Sequence, residues 1–168
     1  MIKTGKEHLS QLRDGRVVYI GDEKIDDVTT HPAFEKAAQK VAELYDIKHQ
    51  EIYKDVLSYE ENGELCSTWF LQAKNKSDLR KRSKAHKVIA DQTSGMMGRS
   101  MDHVASFVTG MSTNPDIFDS GKYKFKENLL NYYKYMKKND VFASYAVVPP
   151  QAARNPEFYQ KQNLPIPT

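Results

Sequence analysis

The sequence predicts a mainly α-helical chain that carries one small β-hairpin. Two segments place apolar residues at intervals of three and four, which is the pattern of a helix with one buried face. The pair Asn62-Gly63 lies between two β-prone runs, and it indicates a hairpin because both residues of such a turn need positive φ. At 168 residues, the chain is long enough to bury a core as one domain.

The first third of the chain is predicted to alternate short elements. Residues 4–12 favour a short helix that Asp14-Gly15 would close, and residues 16–20 favour a brief β-run. A longer helix is expected to begin around His31-Pro32, since proline is tolerated in the first turn of a helix. The apolar face of that helix comprises Phe34, Ala37, Ala38, Val41, Leu44 and Tyr45.

The hairpin is expected near residues 56–72, where residues 56–59 and 64–72 flank the turn. It must pack on other elements, because an isolated two-stranded hairpin is marginally stable. Ser77 is a candidate N-cap for a helix that reaches about residue 93, and Ser100 for a helix that reaches about residue 111.

The last part of the chain is predicted to change character after a further helix. Residues 123–138 form this helix, with Phe125, Leu129, Tyr132, Tyr133 and Met136 on its apolar side. Residues 141–148 are strand-like, and residues 151–168 are typical of an irregular connector. We therefore expect a helical domain over residues 1–140, followed over residues 141–168 by a first strand and connector that need a sheet from elsewhere.

Composition excludes several classes of function. A net charge of +3, from 25 basic and 22 acidic residues, is too small to argue for a nucleic-acid partner. The single cysteine, Cys66, excludes an intrachain disulfide and a multi-cysteine metal site, and the five histidines lack metal-binding spacing. No apolar run approaches the roughly 20 residues of a membrane helix. We expect a cytoplasmic protein without a membrane, metal or nucleic-acid partner.

Two polar segments have ordinary structural explanations. The basic residues 80–87 lack interleaved aromatic residues, so a solvated helix face explains them better than a phosphate contact. His86 shares a stripe with Leu79 and Ala90, which predicts a packed histidine. The tyrosines within residues 132–135 could stack on bases, but packing in a helix interface explains them better.

Two short motifs carry the functional signal: GMMGRSMDH at residues 95–103 and YAVVPPQAAR at residues 145–154. In the first motif, Arg99 follows a glycine-rich bend and precedes a helix. Its guanidinium stays charged and offers several donors in one plane, which suits an anion or a phenolate. In the second motif, a β-branched run stops at two prolines, which fix the exit path of the chain.

Taken together, Gly98-Arg99-Ser100, Asp102-His103, Tyr145 and the PQAAR of residues 150–154 resemble the 4-hydroxyphenylacetate 3-hydroxylase family. Residues 4–34 resemble the start of that family. Its members are the oxygenase components of two-component flavin monooxygenases. The resemblance implies the N-terminal helical domain of an acyl-CoA dehydrogenase-like fold, ending at the start of the central β-barrel domain. It also implies a homotetramer for the full-length protein.

The resemblance implies a reaction as well: hydroxylation ortho to a phenol, with O₂ as oxidant and reduced FAD supplied by a separate flavin reductase. Arg99 would favour the phenolate, since a nearby opposite charge lowers a pKa by roughly one to three units. His103 and Tyr145 would complete the catalytic group, and Gln151 and Arg154 would contact the flavin. The family commonly has tyrosine where this chain has His103, and histidine where it has Tyr145. The phenol and the proton donor therefore stay open.

Other interpretations remain at this stage. The chain could be a non-catalytic fragment that acts only with a companion chain, or an unrelated helical binding module. A related branch dehydrates 4-hydroxybutyryl-CoA with FAD and an iron–sulfur cluster, but it has cysteines near the region of residues 99–103, where this chain has none. Because the barrel and the C-terminal bundle would be missing, we expect the chain alone neither to retain FAD nor to hydroxylate a phenol.

Overall fold

The computed structural model describes residues 2–96 and 101–144. This part is mainly helical, as predicted, and carries two small antiparallel hairpins. Its elements, in order, are α1 (Gly5–Gln11), β1 (Val18–Ile20), β2 (Glu23–Ile25), α2 (Glu35–Asp46), α3 (Glu51–Leu57), β3 (Ser58–Glu61), β4 (Glu64–Ser67), α4 (Lys76–Gln92), α5 (Met101–Ser112) and α6 (Lys126–Lys138), with 3-10 turns at Ile47–His49, Thr68–Phe70 and Pro115–Asp119.

Helix α1 begins with a capping box and lies against α2. The Glu7 N–H donates to Thr4 Oγ1 over 3.2 Å, and the Thr4 N–H donates to Glu7 Oε2 over 2.8 Å. The Gly5 N–H donates to Asp46 Oδ1 over 2.7 Å. A Cβ at Gly5 would lie 2.5 Å from the carbonyl oxygen of Ala42, so only glycine allows this close approach of the two helices.

Helix α2 begins at Glu35, later than predicted. His31 and Pro32 lie in a preceding turn, where the His31 N–H donates to the Asp27 carbonyl over 3.0 Å and the Phe34 N–H to the His31 carbonyl over 2.9 Å. Asp27 stabilises this turn further by accepting from the N–H of Thr29 over 2.7 Å. The buried face of α2 is otherwise close to the prediction and comprises Ala38, Val41, Ala42, Leu44 and Tyr45, whereas Ala37 is exposed.

The predicted hairpin at Asn62-Gly63 is confirmed, with φ values of 54° and 78° at the two turn residues. It is shorter than residues 56–72, because its paired strands run only from Ser58 to Ser67. Residues 56–57 end helix α3, which the sequence analysis missed, and residues 68–70 form a 3-10 turn. The β-run at residues 16–20 is confirmed as β1, but its polar partner β2 was not anticipated.

Helix α4 is capped by Asn75 rather than by Ser77, because the Asp78 N–H donates to Asn75 Oδ1 over 3.0 Å. Its buried residues are Ala85 and Ile89. The prediction of a packed His86 is wrong, since His86 is exposed and Leu79 is 60% exposed. The stripe that faces the core is rotated around the helix from the one the sequence suggested.

Helices α2, α4, α5 and α6 enclose the core, together with the turn Thr68–Phe70. The buried cluster comprises Val41, Leu44, Tyr45, Ile47, Leu57, Trp69, Phe70, Ala85, Ile89, Ala105, Val108, Tyr133 and Met136. On α6, Tyr133 and Met136 pack as predicted, while Phe125 and Tyr132 remain about half exposed. Among the described residues, no helix is long and apolar enough to cross a bilayer.

Candidate functional site

Of the predicted site residues, His103 is the one that the structure describes. It lies in the first turns of α5. Arg99, Tyr145, Gln151 and Arg154 lie outside the described residues, as does the candidate N-cap Ser100. The predicted strand over residues 141–148 lies mostly outside them too, and residues 141–144 belong to no strand. The proposed boundary after residue 140 stays a prediction.

One face of α5 packs on the core. Ala105 is fully buried, and Val108 is 9% exposed. The Thr109 hydroxyl donates to the Trp69 carbonyl over 3.1 Å. At the end of the helix, Gln72 Nε2 donates to Ser112 Oγ over 2.8 Å. These contacts fix the rotation of α5 about its axis, so they also decide which residues the opposite face presents.

Arg82 of α4 holds α5 against the turn Thr68–Phe70. Its Nη1 donates to the carbonyls of Trp69 over 3.0 Å and Leu71 over 2.8 Å, and more weakly to that of Thr68. Its Nη2 donates to Ser106 Oγ over 2.6 Å. The basic segment at residues 80–87 favours a solvated position for this arginine, whereas its guanidinium lies against α5 and the turn. Its spacing of three and seven from the buried Ala85 and Ile89 could have revealed it.

The opposite face of α5 lines an open groove of about 450 Å³, which we call the α5 groove. Its lining residues are His103, Ser106, Phe107, Gly110 and Met111. The His103 ring meets the edge of the Phe107 ring, with centroids 4.9 Å apart at 80°. Phe107 is 53% exposed and Met111 is 44% exposed. Aromatic, thioether and imidazole groups along one open wall suit one face of a flat aromatic molecule.

A fully buried ion pair lies elsewhere, at the end of α6. Lys48 donates to Asp140 Oδ2, and the two side chains are 0% and 1% exposed. Ser67 bridges them, because its hydroxyl accepts from Lys48 Nζ over 3.0 Å and donates to Asp140 Oδ1 over 2.6 Å. The ammonium of Lys48 also lies 4.1 Å from the ring centroid of Tyr45 and 4.4 Å from that of Trp69.

Burial acts against the charged form of both members of this pair. It lowers the pKa of Lys48 to about 8, although the attraction of Asp140 works in the opposite direction. For Asp140, burial opposes ionisation, but Lys48 and the hydrogen bonds from Lys48, Ser67 and the Lys3 N–H outweigh it and keep the pKa below its usual value. Each member of the pair therefore favours the charged form of the other. No local pattern in the sequence indicates this pair, since both residues look like ordinary surface charges.

No grouping of three or more His, Cys, Asp or Glu side chains that could hold a metal ion occurs in the part of the chain that the structure describes. Cys66 is buried in β4. The α5 groove is an open wall rather than an enclosed pocket.

The helical arrangement is found in another solved protein. It matches the solved oxygen-tolerant archaeal 4-hydroxybutyryl-CoA dehydratase of N. maritimus with a TM-score of 0.69 over 84% of this chain and 28% of that chain; at 18% identity this likeness shows the fold alone. The sequence identifies the family, which the likeness in fold does not. The chain belongs to the 4-hydroxyphenylacetate 3-hydroxylase family, because the family model of its N-terminal region matches residues 4–166.

Individual relatives agree with this assignment. The chain is 38% identical to the oxygenase component of 4-hydroxyphenylacetate 3-monooxygenase from Thermus thermophilus, over 99% of this chain and 34% of the relative. It is 37% identical to the oxygenase component of 4-nitrophenol 2-monooxygenase from a Rhodococcus species, over 90% of this chain and 29% of the relative.

A solved oxygenase component (HpaB) of 4-hydroxyphenylacetate 3-monooxygenase, complexed with FAD and 4-hydroxyphenylacetate, matches with a TM-score of 0.82 and 38% identity. The match covers 92% of this chain and 32% of that chain. The chain therefore spans about a third of the length of the relatives it matches.

Proposed function

We propose that this chain supplies the N-terminal part of the oxygenase component of a two-component, FAD-dependent phenol hydroxylase. The proposal is supported by the family match over residues 4–166, together with the position of His103 on the open α5 groove. The groove offers a wall for a flat aromatic ring but does not enclose one. The remaining walls, and most of the flavin site, would come from polypeptide that corresponds to the other two thirds of the relatives.

Within that pocket we assign roles to residues of this chain. Arg99 holds the phenol oxygen and favours its ionised form, because a fixed guanidinium nearby lowers the pKa of the phenol. His103 lies four residues further along and contacts the same oxygen, since an imidazole nitrogen can donate a hydrogen bond to a phenolate. Tyr145 shares this task, and Gln151 and Arg154 contact the flavin.

Bound reduced FAD supplies the activation of O₂, and a separate flavin reductase supplies the reduced FAD. The protein residues orient the ring so that the carbon ortho to the phenol oxygen receives the new hydroxyl group. A phenolate is the better substrate for this electrophilic attack because it is richer in electrons than a phenol. We propose a para-substituted phenol, since the two relatives described above are named for 4-hydroxyphenylacetate and 4-nitrophenol. The complete enzyme would be a homotetramer.

Two other functions are less well supported. A dehydratase with an iron–sulfur cluster would need cysteine ligands, and the single cysteine of the chain is Cys66 in β4 rather than a residue of α5. A non-catalytic role with a companion chain predicts no hydroxylation of a phenol, so an activity measurement distinguishes it from the hydroxylase.

The test combines the 168-residue chain with the part of the Thermus thermophilus relative that follows its matched third, either fused or as a separate polypeptide. Titration with FAD and an assay with a flavin reductase, O₂ and 4-hydroxyphenylacetate are run on the chain alone and on the combination. We expect FAD retention and ortho-hydroxylation only for the combination. Stoichiometric FAD binding by the chain alone would contradict the shared pocket. A combination that binds FAD but never hydroxylates a phenol would favour the non-catalytic role.

Arg99→Ala tests the assigned chemistry. The substitution should lower kcat/KM for hydroxylation by roughly 100-fold or more while FAD affinity changes little, because the guanidinium acts on the phenol and its oriented charge is lost. Arg16→Ala is the matched control, since Arg16 is half exposed and pairs locally with Asp14. Equal activity in the two variants would show that Arg99 has no role in catalysis.

A further inference from the structure

Helix α6 ends in a motif that fixes the direction of the chain beyond it. The Val141 N–H donates to the Met136 carbonyl over 3.1 Å, and the Asp140 N–H donates to the Lys137 carbonyl over 3.3 Å. This is the Schellman arrangement, in which the residue after the C-cap adopts the left-handed conformation. That residue here is Asp140, with φ of 45°. Glycine or asparagine is the usual choice at such a position, so an aspartate there needs a separate explanation.

The buried contacts of Asp140 give this explanation. Its carboxylate accepts hydrogen bonds from Lys48, from Ser67 and from the Lys3 N–H over 2.9 Å. Its carbonyl accepts from the Tyr45 hydroxyl over 2.8 Å. Both the side chain and the backbone of one residue are thus tied to three separate parts of the chain. The turn cannot rotate without breaking a buried charge contact.

The residues that follow this turn precede the proposed catalytic residue Tyr145 in the sequence. Val141, Phe142 and Ala143 are partly buried and pack against the core cluster. Tyr145 follows Asp140 by five residues in the sequence, and Gln151 and Arg154 follow it further on. An error of about 1 Å in the placement of a reacting group can cost about 100-fold in rate, so the direction of this exit matters to the site.

We infer that Lys48 and Asp140 are positioning residues for the proposed hydroxylase. They touch no substrate. Instead, their ion pair sets the direction in which residues 141–144 leave α6, and these residues directly precede Tyr145 in the sequence. This inference rests on the proposed function for its catalytic consequence, while its structural consequence can be measured on the 168-residue chain alone.

The informative variants remove charge without disturbing the backbone. Asp140→Asn keeps a residue that tolerates positive φ, and Lys48→Met keeps the unbranched stem. The double variant K48M/D140N leaves neither charge unpaired, so it separates positioning from simple stability. The control is K137M/E61Q, which removes a partly buried ion pair that joins the same helix α6 to β3. Ser67→Ala, which deletes only the bridging hydroxyl, serves if the double variant does not fold.

In the combined enzyme, kcat and KM are compared for samples that circular dichroism shows to be equally folded. We expect K48M/D140N to lose roughly 100-fold in kcat/KM, mainly in kcat, and K137M/E61Q to stay close to wild type. Ser67→Ala should show a smaller loss in the same direction. A purely structural pair predicts the opposite: once the double variant is folded, it would have the wild-type kcat/KM. That result would overturn the inference.

Hydrogen exchange on the 168-residue chain gives a readout that needs no activity. We expect the amides of residues 141–144 to exchange faster in D140N and in K48M/D140N than in wild type or K137M/E61Q. Unchanged exchange would overturn the inference whatever the activity. If the wild-type combination never hydroxylates a phenol but exchange responds as expected, the proposed function fails while the structural role of the pair holds.

Discussion

The imidazole of His8 stacks on the ring of Tyr45, with centroids 4.9 Å apart and planes inclined by 27°. This contact joins α1 to the buried face of α2, and both residues are almost inaccessible to solvent. Burial lowers the pKa of His8 to about 4, and the neighbouring positive charges of Lys3, Lys48 and Arg16 act in the same direction. His8 is therefore neutral in the folded chain at physiological pH.

We expect His8 to make the chain less stable in mild acid. The unfolded pKa near 6.5 exceeds the folded value, so between these values the unfolded chain binds a proton that the folded chain does not. The contribution of His8 to the free energy of unfolding is complete above about pH 6.5. It falls as the pH drops towards 4, by about 2 kcal/mol at pH 5. Urea unfolding at pH 8, 7, 6 and 5, followed by the fluorescence of the single tryptophan Trp69, measures this loss.

His8→Phe keeps a ring on Tyr45 but cannot titrate. It should reduce the loss between pH 8 and pH 5 by about 2 kcal/mol, and the comparison at pH 8 gives the effect of the substitution itself. The same pH dependence in both proteins would mean that His8 does not cause it.

Breaking the Lys48–Asp140 pair from one side should be costly. Lys48→Met or Asp140→Asn leaves the other charged group buried without its partner, which costs about 3–5 kcal/mol in free energy of unfolding. The double variant should recover much of either loss, so the two substitutions should show a coupling of about 2 kcal/mol or more. Urea unfolding of the four proteins completes the cycle. Additive effects would show that the two charges do not depend on each other.

Arg82 should contribute more to stability than its place in a basic segment suggests. Arg82→Met removes charged donors from the carbonyls of Trp69 and Leu71 and from Ser106, and we expect a loss of about 2–4 kcal/mol. Arg80→Met, at an exposed position of the same helix, should change stability by less than about 0.5 kcal/mol. Chemical unfolding measures both. Similar losses for the two variants would contradict the role given to Arg82.

Two glycines should respond to alanine with opposite signs. Gly5→Ala places a methyl group 2.5 Å from the Ala42 carbonyl oxygen, so it should separate α1 from α2 and cost about 1–3 kcal/mol. Gly110→Ala meets nothing within 4 Å on the exposed face of α5 and should stabilise the helix by about 0.5–1 kcal/mol. Thermal unfolding of the two variants measures the sign of each change in stability. A gain in Gly5→Ala would mean that the two helices can move apart without cost.

Gly110→Ala also bears on the α5 groove, because Gly110 lines it. In the combined enzyme, the added methyl group should raise the KM for the phenol even as it stabilises the chain. An unchanged KM would place the substrate away from this part of the groove.

Elements that depend on local signals were predicted well. The hairpin at Asn62-Gly63 follows from a turn that needs two positive φ values, and α2 and α6 follow from apolar spacing. Helix α4 was expected in the right region, but with the wrong cap and the wrong buried stripe. Elements that depend on the segments around them were not predicted. Helix α3 was missed because its last residues, 56–57, look like the start of the following strand, and β2 was missed because it is polar and is paired only by its neighbour β1.

The sequence by itself determined the helical class, the hairpin turn and the family, since each depends on residues that are close together or on the order of short motifs. The tertiary structure alone decided which charged residues are buried. Lys48 and Asp140 lie 92 positions apart, and nothing near either residue in the sequence indicates a partner. Burial and pairing arise only when distant segments meet, because the dielectric environment of a charge is set by what packs around it.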